Sequence, residues 1–161
     1  MKRIITFFML IAFISIGMRA AITISSTSVS IGGTTYQGYG IYGAKAGEIA
    51  QLLNGDYEGI SNATLNQLKS AEYIKLGDSQ NPNVLKDEDL EALQLLSGAK
   101  FLDIDGSTLD DGADISKIKA GSAIEAVTLP NNLTKAQVNA AGAALTACNA
   151  NFGSCLSLNT E

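Results

Sequence analysis

The residues of this chain best suited to chemistry are two aspartates, Asp103 and Asp105, in the run Lys100-Phe-Leu-Asp-Ile-Asp-Gly-Ser-Thr-Leu-Asp-Asp-Gly112. Carboxylates can act as nucleophiles, exchange protons and hold a hard divalent cation through oxygen. The same run can be set against a calcium loop: with Asp103 at position 1, Asp105 falls at 3, Ser107 at 5, Asp111 at 9 and Asp114 at 12. Position 6 is then Thr108, where the sharp turn requires Gly, and position 12 favours Glu. Strand geometry offers a simpler expectation. If Leu102 and Ile104 point into a core, then Phe101, Asp103 and Asp105 point out, and solvated carboxylates on a sheet face need no metal.

Composition narrows the chemistry further. The 161 residues include no His and no Trp, two Cys and two Pro, and 46% of them are apolar. Without imidazole, Ser-His-Asp triads, Cys-His proteases and most zinc hydrolases are excluded. The two cysteines, Cys148 and Cys155, form an even count. They could close a disulfide between the last helix and the last strand, or serve as small buried hydrophobes; both readings stand.

The first residues read as an address. Lys2 and Arg3 precede an uncharged apolar run from Ile4 to Gly17, with small Ala20 and Ala21 beyond it. The run is short of the about 20 residues that span a bilayer, so residues 1–21 are expected to be a signal peptide, an uncleaved anchor being the alternative. Secretion or display on the cell surface or outer envelope follows, with no transmembrane span in the mature chain. Loss of Lys2, Arg3 and Arg19 leaves 8 Lys against 16 Asp+Glu, a formal charge of -8 with no Arg. Such a surface repels polyanions and lacks the bidentate fork that reads phosphate, so nucleic acid is not an expected partner.

The elements that would position Asp103 and Asp105 emerge from an internal repeat. Four segments alternate as strands do: residues 73–77, 101–105, 126–130 and 155–159. Their second apolar positions, Leu76, Ile104, Leu129 and Leu158, recur at intervals of about 25–29 residues. Helix-like stretches lie between them, at 87–100, 113–124 and 134–149. Leu68 to Ser79 aligns without a gap on Leu96 to Ser107. Eleven residues before the markers stand Leu65, Leu93, Ile118 and Ala147, and three after them Ser79, Ser107, Asn132 and Glu161.

With these markers and the turn Leu-Pro-Asn-Asn-Leu-Thr (129–134), the sequence resembles bacterial secreted or surface leucine-rich-repeat proteins, in which degenerate repeats follow a signal peptide. The resemblance covers residues 60–161. It implies an α/β fold, a short leucine-rich-repeat solenoid with a parallel strand ladder on one face and helices on the other. Residues 22–59, β-rich and then Gly/Tyr-rich, are expected to form its N-terminal cap or a linker, with a short helix at 47–53. About four units are expected in 60–161, and the stop at Glu161, soon after the last marker, suggests truncation at the C-terminus.

Function is expected to lie on the outward-facing side of the strands. Lys75, Asp103, Thr128 and Ser157 would form one column across neighbouring strands, close enough for Lys75 to pair with Asp103. Tyr73 and Phe101 would add aromatic anchors at the near edge, and Asp105 lies one step beyond the markers. Concave solenoid faces bind macromolecules. The expectation is therefore a non-enzymatic, adhesion-type module for a protein or glycan ligand outside the cytoplasm, with no cofactor. A second resemblance competes with it. The Lys100–Gly112 run looks like the first motif of haloacid dehalogenase-type phosphatases, which implies Asp103 as nucleophile, Asp105 as acid/base and magnesium between them. Ser107 stands where that motif has Thr, and the motif normally opens its domain, whereas here it stands late in the chain.

Overall fold

The computed structural model describes residues 22–148. The expected signal peptide, the fourth strand at 155–159, Ser157 and Cys155 lie outside the described residues. The fold is mixed α/β with a mostly parallel sheet. Strands β1 (Thr23–Ile31) and β2 (Thr34–Tyr42) open it as an antiparallel hairpin, followed by α1 (Glu48–Asn54) and α2 (Asn62–Ser70). Then come β3 (Tyr73–Leu76), β4 (Asn83–Leu85) and α3 (Asp87–Ala92), which runs into a 3-10 turn at Leu93–Leu95. β5 (Phe101–Asp103), β6 (Ser107–Leu109), a 3-10 turn at Ile115–Lys117, β7 (Ala126–Thr128) and α4 (Lys135–Cys148) complete the order.

Five strands form one sheet in the order β1-β2-β3-β5-β7, and β2, β3, β5 and β7 run parallel. β4 and β6 pair in parallel as a second, two-stranded sheet. Register is regular: Tyr73 stands opposite Phe101 and Phe101 opposite Ala126, while Lys75 stands opposite Asp103 and Asp103 opposite Thr128. Helical segments pack behind the sheet, α1 on α3, α3 on the second 3-10 turn, and that turn on α4.

Alternation explains why these short segments hold as strands. Ile74, Leu76, Leu102, Ile104 and Val127 are all buried in one core with Ile41 of β2 and the helix-side residues Leu93 and Ile118, and Leu65 is buried as well. The expected inward markers Leu76, Ile104 and Leu129 therefore face the core. Each such side chain contributes about 1.5–3 kcal/mol by leaving water, which so short a strand needs because its own ladder is brief.

Several boundaries differ from expectation. The stretch 87–100 is helical only to Leu95, and 113–124 holds a single 3-10 turn. The chain must leave one strand, form β4 or β6, and return to the next strand within a single interval, which leaves room for one or two helical turns. Residues 32–46, open to a linker reading, are instead largely β2. The calcium-loop reading fails because Ser107–Leu109 is a strand, with Ser107 buried and its hydroxyl donating to the Leu76 carbonyl at 2.8 Å. Asp114 accepts from the Ser116 N–H at 2.9 Å, capping the 3-10 turn.

Buried polar groups tie neighbouring segments together. Asn83, fully buried, accepts from the Ala44 N–H at 2.9 Å and donates to the Ile41 carbonyl at 2.8 Å. Ser107 sits opposite Asn83 in register and plays the same part toward Leu76. Ser79, expected to be the counterpart of Ser107, is exposed. The turn from Asp78 to Pro82 is longer than its equivalent after β5, and it moves that role to Asn83. Backbone approaches backbone here as well: Gly77 takes φ +74, and a side chain on Gly106 would collide with the Gly77 carbonyl.

Candidate functional site

The outward face of the parallel sheet carries a charged cluster. β3 presents Tyr73 and Lys75, β5 presents Phe101 and Asp103, and β7 presents Ala126 and Thr128, as period-2 geometry requires once Ile74, Leu102 and Val127 point inward. The expected Lys75–Asp103 pair is present, Nζ to Oδ2, at 3.0 Å. Lys75 Nζ also lies 3.7 Å from Asp105 Oδ1. The Tyr73 hydroxyl donates to the same Asp103 oxygen at 3.3 Å, and the Asp105 N–H donates to the other at 3.2 Å.

These contacts set the ionisation of the cluster. Burial pushes the Asp103 carboxyl up, yet the hydrogen bond from Lys75, with further support from Asp105, holds it below its ordinary value. Asp105 moves the other way, raised by burial and then by the neighbouring Asp103. Burial pulls the Lys75 ammonium down, and the hydrogen bond and charge of Asp103 outweigh it, leaving it raised. Burial and the adjacent Asp103 charge drive the Tyr73 hydroxyl far above the usual phenol range. The cluster thus sets one ammonium between two carboxyl groups whose ionisation is shifted in opposite directions, with the phenol donating to the more acidic of them.

This arrangement bears on the magnesium reading of Asp103 and Asp105. An ammonium already stands within reach of both carboxylates and supplies the positive charge that a divalent cation would bring. Asp103 has both oxygens engaged, so a role as nucleophile would require breaking the contacts that hold it. Among the described residues, no three His, Cys, Asp or Glu side chains gather as a metal-binding group.

The aromatic anchors differ from expectation. Tyr73 and Phe101 are only 6% and 8% exposed. The Phe101 ring packs on Tyr36 of β2 with centroids 4.5 Å apart, and the Lys100 ammonium stands 5.8 Å from the centre of the Tyr36 ring. Tyr73 and Phe101 brace the face and offer little surface to a partner. Tyr36 is hidden in the sequence because only the strand order β2-β3-β5, with Gly38 opposite Tyr73 and Tyr73 opposite Phe101, brings it there.

Beside the cluster, the turns leaving the strands enclose an open groove of about 630 Å³. Its lining includes Lys75 and Asp105 of the cluster, Asp78 and Ser79 from the segment after β3, and Asn131 and Asn132 from the segment after β7. The lining is hydrogen-bonding and mixed in charge, with no aromatic ring. Thr128 lies next to Asp103 in register and carries the face toward β7. Cys148, at the end of α4, accepts from the Ala120 N–H through sulfur at 3.4 Å; the disulfide reading turns on Cys155, outside the described residues. No helix among the described residues is long and apolar enough to cross a membrane. Compared with known protein families, characterised proteins and solved structures, the chain gives no match.

Proposed function

We propose that this chain is an exported, non-enzymatic interaction module of leucine-rich-repeat type, which binds a protein or glycan ligand outside the cytoplasm. Binding would use the outward sheet face around Lys75, Asp103, Asp105 and Thr128 together with the adjoining groove. The observation that carries this reading is the stacking of β3, β5 and β7 in sequence order, side by side and in parallel, at nearly equal intervals along the chain. The placement of Asn83 and Ser107 at one register position, each bonded to a carbonyl of the preceding turn, further supports a repeat. An array of this kind exposes one side chain per strand in adjacent columns, the pattern of an extended recognition surface. Export is supported by the basic start and the uncharged apolar run at 4–17.

Glycan or protein recognition suits the groove because carboxylates, an ammonium and two side-chain amides provide donors and acceptors within one open cleft. The purified chain should bind one or more members of a panel of defined oligosaccharides and purified extracellular-matrix proteins. Binding should weaken at least tenfold in the Lys75→Ala and Asn131→Ala/Asn132→Ala variants. Unchanged binding in those variants overturns the site. Magnesium-dependent release of phosphate from p-nitrophenyl phosphate, lost in Asp103→Asn, overturns the non-enzymatic reading.

A further inference from the structure

β1 is the outer strand of the five-stranded sheet, and among the described residues it pairs with β2 alone. It is nine residues long, whereas β3, β5 and β7 have three or four. Exposed edges of that length usually carry charges, proline or a bulge that discourage further pairing. None is present here. Residues 20–44 contain no charged residue and no proline, and the β1–β2 register runs through nine consecutive pairs without a skip.

The hairpin also overhangs its support. β2 meets β3 only from Gly38 to Ile41, so Ser28–Ile31 and Thr34–Gln37 extend as a two-stranded ribbon. Tyr36 is the side chain that reaches back, to Phe101. The overhang leaves Ile31 41% exposed, the one large apolar side chain so placed among the described residues. Two-stranded ribbons are marginal in water, and additional strands stabilise them.

We propose that β1 pairs antiparallel with β1 of a second copy of this chain, across a two-fold axis near Thr27, to give a continuous ten-stranded sheet. The edge is complementary to itself: residues 23–31 carry no charge, so two copies of β1 meet without a like-charge pair, whereas the excess of 16 Asp+Glu over 8 Lys in residues 45–161 disfavours contact between copies elsewhere. The contact is isologous and closes at two copies. Ser26 and Ser28 lie on either side of Thr27, so Ser26 of one copy would stand opposite Ser28 of the other.

Sedimentation of the full chain tests this. The expected result is a concentration-dependent monomer–dimer equilibrium whose dissociation constant rises at least tenfold in Ser26→Lys/Ser28→Lys. The dimer should be unchanged in Asn66→Lys/Gln94→Lys, which adds the same charge at exposed helical sites. Circular dichroism of all variants should match the parent. If Ser26→Lys/Ser28→Lys loses its fold, oxidation of Thr27→Cys decides the question. A cross-linked dimer that Gln94→Cys does not give upholds the pairing, and its absence refutes it. A monomer at all concentrations overturns the proposal, as does association that persists in the folded Ser26→Lys/Ser28→Lys chain, which would point to the apolar run at 4–17.

Discussion

Asp89 is fully buried, yet it faces backbone donors from two separate elements. Its carboxylate accepts from Gly47 N–H at 2.6 Å, Ala50 N–H at 2.8 Å and Lys86 N–H at 3.0 Å. The first two belong to the start of α1 and the third precedes α3, so one side chain satisfies the N-termini of both helices. Asp89→Ala strands three N–H groups in a dry site, at about 1–3 kcal/mol each. Removing the carboxylate also relieves several kcal/mol of desolvation. The balance is an expected loss of about 3 kcal/mol, somewhat beyond what losing one helix cap costs. Asp89→Asn keeps one acceptor oxygen but turns an amide NH2 toward backbone donors, for an expected loss of about 2 kcal/mol. Urea denaturation is the assay. With a slope of about 2 kcal/mol per molar, Asp89→Ala should lower the midpoint by about 1.5 M without changing the slope. Glu91→Ala, on the same helix but outside this network, should stay within about 0.5 kcal/mol of the parent. A loss below about 1 kcal/mol for Asp89→Ala would refute the reasoning, because the three donors would then have found other partners.

The outward cluster makes two further predictions. A double-mutant cycle of Lys75→Met and Asp103→Asn should give a coupling energy of about 1 kcal/mol that falls in high salt; a value near zero would mean the pair is only geometric. In an NMR titration, Asp105 should take up its proton at a higher pH than Asp103. Its folded value is raised, so ionised Asp105 opposes folding, and with solvent screening the Asp105→Asn chain should be slightly more stable than the parent at neutral pH. Asp103 is lowered, so its contribution is present above its unfolded value near 3.8 and is lost as pH falls through the folded value. The close approach of two backbone segments at Gly77 and Gly106 supplies another test: Gly106→Ala should cost about 1–3 kcal/mol by thermal melting, since its methyl would collide with the Gly77 carbonyl.

Alternation made part of this fold legible. Leu76, Ile104 and Leu129 could be aligned from spacing alone, and the Lys75–Asp103 pair follows once neighbouring strands share that register. Extending the alignment of Leu68–Ser79 on Leu96–Ser107 to its end misplaced one residue. It sets Ser79 against Ser107, because a gapless alignment cannot see that Asp78–Pro82 loops out before the chain resumes at Asn83. The short strands β4 and β6 carry no periodic signal in three residues each. The helical returns read too long because Leu90, Leu93 and Leu96 keep a helical spacing even where the backbone has already tightened into a 3-10 turn. α2 was invisible for the opposite reason: Leu65 and Leu68 are its only buried residues, and its start depends on the Ser61 hydroxyl accepting from the Thr64 N–H.

The candidate site was harder to read than the fold because the two rest on different constraints. Inward groups are over-determined: Asn83, Ser107 and Asp89 each satisfy backbone atoms of a neighbouring segment, and changing any of them leaves a buried donor or acceptor unpaired. Outward side chains bond chiefly to one another, Tyr73 and Lys75 to Asp103, and Lys75 to Asp105. No backbone group in the ladder between β3, β5 and β7 depends on them. The ladder therefore fixes where these side chains stand but leaves their identity open, so Thr128, Asp105 and the groove residues Asn131 and Asn132 can change at little cost in stability. A face with that freedom, held on a scaffold without it, is why strand alternation places Asp103 and Lys75 but does not dictate the residues around them.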